Sequence, residues 1–300
     1  MLSRSASNLY WMARYFERAE STARLLNACF QPGTPFAGDL EKLYDLPLQV
    51  QSAHNDFIAQ QHILNMNNVI NFMVSGNSQA SIKYCLEMAR ENARSERSRM
   101  SNEVWEVVNQ TWLEFNNWQK QPLHLFKEWL QQRSFLLQGT INNTMPANLS
   151  RRFLQIGMFI ERADQTLRIL EAEVALRTFS NQSEYYHWNI ILRSVGSLEA
   201  YQETFVDIPA QELVLQFLLF NKTIPRSVRC CIEHTERVLQ LIGGQNRKHP
   251  LKESARLLVK LQFDKLDDIN KIGQRAYIES LQKEIFTLAA AIEEGHFVSP

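Results

Sequence analysis

Two stretches decide the fold: LYWMARYFERAESTARLL at 9–26 and FLQIGMFIERADQTLRIL at 153–170. In the first, Leu9, Met12, Phe16, Ala19 and Ala23 fall on one arc of a helix, and Ser7, Tyr10, Arg14, Glu17, Ser21 and Arg24 fall on the opposite arc. That spacing predicts an amphipathic helix. In the second, Phe153, Leu154, Ile156, Met158, Phe159 and Ile160 leave almost no polar face, which predicts a helix buried nearly all round. The stretches align at an offset of 144, matching Glu17 with Glu161, Arg18 with Arg162, Glu20 with Asp164, Thr22 with Thr166 and Arg24 with Arg168. A second block, SIKYCLE at 81–87, aligns with SVRCCIE at 227–233 at an offset of 146. Two blocks in the same order at nearly equal offsets predict an internal duplication, with repeats at about 1–145 and 146–300 forming one domain over 1–300.

The rest of the chain fits this plan. Helical periodicity covers roughly 39–75, 79–95, 101–120, 122–143, 147–177, 183–205, 210–220, 225–243, 250–273 and 274–294, with caps expected at Ser101 and Ser183. No segment reads as a strand. The expected class is therefore all-α: a duplicated helical bundle with a pseudo-two-fold axis and about ten to twelve helices.

Composition narrows the function classes. The chain has 300 residues, with 10 Gly and 9 Pro, too few for a turn-dense β or collagen-like protein. Lys and Arg number 32, as do Asp and Glu, so no global basic field exists to hold nucleic acid. Charges at Arg4, Arg14, Glu17 and Arg18 interrupt any secretory apolar run, and no window has the ~20 apolar residues of a membrane span. Cys29, Cys85, Cys230 and Cys231 lack C-x-x-C spacing and read as reduced core thiols, which suits a cytoplasmic protein. Phosphate loops, nucleophile elbows and zinc-ligand spacings are absent. Glu184 and His187 have Glu-x-x-His spacing, but a di-iron bundle needs a second copy and the chain has none. No metal site is expected.

The chemistry-bearing pattern is the doubled Glu-Arg. Neighbouring helix positions point about 100° apart, so Glu17 cannot face Arg18, nor Glu161 face Arg162. An apolar environment would make an unpaired charge there cost several kcal/mol. Reciprocal pairing across the two-fold follows as the expectation: Glu17 with Arg162, and Glu161 with Arg18. Two readings stay open. The network only fixes the register of the bundle, or it lines a polar cavity for an anionic or peptide-like ligand. Arg14 and Arg24 flank the first motif. Glu91, Asn92 and Arg94 in ENARSERSR at 91–99 form either a solvated face or a docking face. Pro225, Arg226 and Ser227 read as a helix start that could face an anion.

These motifs resemble the alpha-E family, bacterial all-helical domains named for E-R motifs. The resemblance rests on LSRSASNLYWMARYFERAESTARLL, SIKYCLEMARENARSERSRMSNEVWEVVN, the second ERAD and FLLFNKTIPRSVRCCIEHTERVL, and it runs from about 1 to 295. It implies association with ATP-grasp amide-ligase systems, whose members are encoded beside or fused to an ATP-grasp protein, often near a transglutaminase-like protease. On that basis the chain is expected to be an accessory subunit that docks on the ligase and helps hold a peptide or amino-acid substrate. ATP and Mg would sit on the ligase, with no cofactor on this chain. The alternative is an enzyme in its own right, with Glu17 or Glu161 as acid/base. The family motifs fall on Glu17, Arg18, Glu161 and Arg162, on Glu91, Asn92 and Arg94, and on Pro225, Arg226 and Ser227. Asn221 departs from the expected Asp, which puts any cation-binding role there in doubt.

Overall fold

A helix that is polar on one side usually turns that side to water. The first helix does not, and its placement organises the molecule. In the computed structural model, which describes residues 2–31, 39–60, 62–176, 184–205, 207–242 and 248–297, fifteen α-helices follow one another among the described residues. They are α1 (Ser3–Phe30), α2 (Leu40–Val50), α3 (His54–Ala59), α4 (Met66–Ser75), α5 (Ile82–Ser95), α6 (Asn102–Trp118), α7 (Leu123–Thr144), α8 (Leu149–Leu176), α9 (Glu184–Val195), α10 (Leu198–Thr204), α11 (Gln211–Phe220), α12 (Val228–Leu241), α13 (Lys248–Phe263), α14 (Leu266–Ile272) and α15 (Gln274–His296). A 3₁₀ turn spans Arg97–Arg99. The class is all-α, as the periodicity predicts, and no strand occurs among the described residues.

The count exceeds the expected ten to twelve because three windows contain four breaks between them. The 39–75 window breaks at Ser52, which adopts φ 54°, and again at Asn65, whose side chain accepts from the Asn68 amide. The 183–205 window breaks at Gly196, φ 71°. Pro225 and Arg226 precede α12 as a turn, so the start expected at 225 is displaced to Val228 with Ser227 as its cap. The window at 250–273 divides into α13 and α14. The Ser183 cap lies outside the described residues.

The two breaks at Ser52 and Gly196 have the same geometry. The Ala53 amide donates back to the Leu48 carbonyl at 2.7 Å, and the Ser197 amide donates to the Leu192 carbonyl at 2.8 Å. Each is a helix end closed by a left-handed residue, and the two left-handed residues stand 144 positions apart, like the Glu-Arg motifs.

Helices α1 and α8, each 28 residues long, pack along one another at the centre. Their backbones meet where Gly157 lies against the Tyr10 carbonyl, so closely that a Cβ on Gly157 would stand 2.2 Å from that oxygen. Around α1 pack α5, α7 and α9; around α8 pack α12, α15 and α2. Thus α2, which follows α1 in sequence, lies mainly on α8, and α9, which follows α8, lies mainly on α1. Tyr10, Arg14, Glu17, Ser21 and Arg24 are all buried, so the polar arc of α1 faces the interior, and a stripe through Asn8, Trp11, Tyr15 and Arg18 stays partly exposed. Ser81 and Ser227 cap α5 and α12 by accepting from the third amide onward, both at 3.1 Å.

Candidate functional site

The buried arc of α1 meets the Glu-Arg turn of α8 in two ion-pair groups. In the first, Glu161 is fully buried and accepts from Arg14 Nε at 2.8 Å and from Arg18 Nε and Nη2 at 2.6 and 3.0 Å. Gln165 adds a third donor at 3.0 Å and is itself held by Gln51 of the α2 end at 2.8 Å. In the second group, Glu17 accepts from Arg162 Nε at 2.8 Å and from Arg226 Nη1 at 2.7 Å. Arg226 also reaches Glu20 at 3.0 Å, and Glu20 pairs with Arg24. Arg24 ends the chain of contacts by donating to the Val195 carbonyl at the last turn of α9, where helix carbonyls lack partners.

Both reciprocal pairs, Glu17 with Arg162 and Glu161 with Arg18, are therefore present. Pairing is not one-to-one, however. The first group sets two guanidiniums against one carboxylate, and the second sets three against two. Aromatic faces take up part of the surplus: Arg14 lies 4.7 Å from the Trp11 ring centre, Arg18 5.9 Å from Tyr15 and Arg162 5.9 Å from Phe159. The Tyr10 hydroxyl accepts from Arg14 at 3.1 Å.

These fields set the ionisation of the site. Burial by itself would raise Glu17, but Arg162 and then Arg226 outweigh it and hold the carboxyl at about 2. For Glu161, burial is likewise outweighed, by Arg18 and then Arg14, and that group also lies at about 2. Arg24 moves the other way, down to about 10, through burial and then repulsion from Arg226. Carboxyls at about 2 in the folded state and about 4.3 in the unfolded chain make the native state more stable wherever the unfolded chain would bind protons. Their contribution is complete above the unfolded value and is lost as pH falls from about 4.3 through about 2. Thermal unfolding between pH 6 and 2 should therefore drop steeply across that acid window, and Glu161→Gln should flatten the drop; an equally steep fall in the variant would contradict the assignment.

The other expected site residues lie apart from this seam. Glu91 is half-exposed on α5 and pairs with Arg90 at 3.2 Å and Arg94 at 2.8 Å. Asn92 donates to the Met88 carbonyl of its own helix. Glu91, Asn92 and Arg94 therefore stand apart from the seam: α5 turns its apolar face to α1 and leaves these residues on the outer side. Ser227 is an end cap, not a seam group; only Arg226 of that turn reaches inward, while its own carbonyl accepts from Thr166 at 2.9 Å. The Asn221 side chain accepts from the Thr223 and Ile224 amides at 2.8 and 3.3 Å, so that position needs an acceptor that Asn and Asp share. His187 stands 3.1 Å from buried Glu173, and the side chain of Glu184 lies outside the described residues. No group of three metal-binding side chains occurs among the described residues. All four cysteines are buried and unbridged, and burial pushes Cys85 and Cys231 up to about 12, far from reactive thiolates.

Sequence reasoning missed Glu20, Tyr10, Gln165 and Gly157 as members of the seam. Glu20 was legible: it stands three residues after Glu17 and four before Arg24, on the same helix face. Gln165 and Gly157 were not, because an amide and a glycine within an apolar helix carry no sign of what lies opposite.

No helix among the described residues is long and apolar enough to cross a membrane. No curated protein and no protein of solved structure matches the chain. A family model described as a predicted alpha-helical domain with a conserved ER motif, Alpha-E, matches residues 1–297. With its two Glu-Arg pairs joined in one buried seam and that match running nearly end to end, the chain belongs to the Alpha-E family.

Proposed function

We propose that this chain is an accessory subunit of an ATP-grasp-type amide ligase system, a cytoplasmic helical partner that docks the ligase and holds a peptide-like or anionic substrate against the Glu-Arg seam. The observation that carries the reading is the surplus of guanidinium over carboxylate in that seam, five against three. Interior cation surplus favours an anionic guest, because each added carboxylate lowers the charging energy of the groups around it. ATP and Mg belong to the ligase, and this chain brings no cofactor. The matched helix ends, caps and packing partners of α1 and α8 support an internal duplication, so that the two halves act as one 1–300 unit around a shared seam.

The rival reading, catalysis by Glu17 or Glu161, meets a physical obstacle. A carboxyl held at about 2 by two arginines is a weak base near neutral pH and carries almost no proton to donate. Co-expression with an ATP-grasp ligase encoded beside its gene, followed by size-exclusion chromatography with ATP and Mg at micromolar concentration, tests the partnership. A single peak containing both chains is expected, and two separate peaks would overturn the reading.

A further inference from the structure

Glu17 commits only one of its two oxygens to the ion-pair network. Its Oε1 accepts from Arg162 at 2.8 Å and from Arg226 at 2.7 Å, whereas its Oε2 accepts no hydrogen bond from the described residues. The same side chain, 2% exposed, lines a cavity of about 100 Å³ between α1, α7 and α8. Phe16, Leu137, Ile141, Leu154 and Phe159 make the walls apolar, and Glu17 is the charged group among the lining side chains. Half-buried Gln138 and Gln155 and exposed Asn142 mark the solvent side.

Water suits this space poorly, because a buried water makes about three hydrogen bonds and the walls offer carbon. A guest that brings its own hydrocarbon fits better. An apolar void of about 150 Å³ admits a six-carbon ring, so about 100 Å³ suits roughly four carbons. The neighbours of the cavity fix the charge of that guest. Arg162 and then Arg226 hold the Glu17 carboxyl at about 2, so an anion in the cavity would meet a second negative charge. A cation would add to an ion-pair group that already sets three guanidiniums against two carboxylates. A neutral hydroxyl avoids both costs: it donates to the carboxylate in a charge-assisted hydrogen bond and leaves the charge count unchanged. A primary amide also donates, but its carbonyl would then need a donor among apolar walls.

We propose that this cavity binds a neutral aliphatic alcohol of about four carbons, with its chain against Phe16, Leu137, Ile141, Leu154 and Phe159 and its hydroxyl donating to Glu17 Oε2. The lining holds a carboxylate and no guanidinium, so this guest is distinct from the anionic substrate proposed for the seam. Nor does the assignment depend on the ligase partnership.

Ligand-detected NMR titration of the full chain near neutral pH tests it, with 1-butanol set against methyl propyl ether (its isomer without a donor), butylammonium and butyrate. 1-Butanol should bind at least tenfold tighter than each of the other three, the scale on which a hydrogen bond to a charged group acts. Equal affinity for alcohol and ether would show that no donor is used. Butylammonium or butyrate binding as tightly as the alcohol would show that Glu17 and its arginines do not select a neutral guest. Either result overturns the site, as does the lack of saturable 1-butanol binding below about 10 mM, a weak affinity even for so small a guest. Ile141→Phe and Ala13→Leu each extend a side chain into the cavity, and both should remove the tenfold preference. Retained preference in whichever variant still melts cooperatively would place the alcohol elsewhere and overturn the site as well.

Discussion

Glu161→Gln is expected to destabilise the chain by about 3–5 kcal/mol, the range for removing one partner from a buried ion pair, and to lower its melting temperature by roughly 10 °C. The magnitude follows from what Glu161 holds. It is fully buried, accepts three hydrogen bonds from two guanidiniums, and takes a fourth from Gln165. An amide keeps the volume but removes the charge and turns two donors toward groups that only donate. Arg14, 9% exposed, then has no carboxylate partner in an interior that already carries surplus positive charge. Set against the ~5–15 kcal/mol that most domains have in total, such a loss is a large part of the native state. The combined variant Glu161→Met, Arg14→Met, Arg18→Met should recover most of it, because apolar side chains of similar volume often replace a buried ion group without loss. Chemical unfolding of the single and combined variants makes the comparison. A loss under about 1 kcal/mol in Glu161→Gln would mean that the carboxylate is solvated, as exposed pairs are.

Gly157→Ala should destabilise by about 3 kcal/mol, the upper part of the range for over-packing, although the same change in an open helix gains up to about 1 kcal/mol. The reversal of sign is the informative part. An added Cβ would meet the Tyr10 carbonyl oxygen at 2.2 Å and its carbon at 3.0 Å. Both are backbone atoms within a central helix, so neither can swing aside, and α1 and α8 must separate instead. Separation lengthens the Glu17–Arg162 and Glu161–Arg18 pairs, which bridge the same two helices and depend on short contact in a poorly screened interior. Urea unfolding measures the change. A variant as stable as the parent, or more stable, would show that the two helices do not approach closely there.

Several features of this molecule could be read before any fold was known. The helical class follows from spacing, since nearly every segment repeats its apolar residues at three and four. Reciprocity of the Glu-Arg pairs follows from a sum of two constraints: neighbours on a helix cannot face each other, and a charge inside an apolar helix must find a partner. Arg226 was singled out for a helix start, yet its guanidinium spans Glu17 and Glu20. No spacing rule links residues 17 and 226, because the contact is made by the turn before α12 folding back onto α1. Glu91, Asn92 and Arg94 illustrate the reverse. Their charge density suggested a site, but density on one helix does not say which face meets a neighbour, and here it is the outer one.

Sequence alone determined the helical class and the need for pairing, because periodicity and the energetic penalty on a lone buried charge act within a helix or at a single residue. Only the tertiary structure decided the stoichiometry and the neighbourhood: five guanidiniums for three carboxylates, and a helix contact tight enough to exclude a methyl group at Gly157. Those are properties of how distant segments meet. They depend on which of many sterically allowed crossings buries the most apolar surface while leaving every carboxylate in the seam a donor, and no local pattern records that choice.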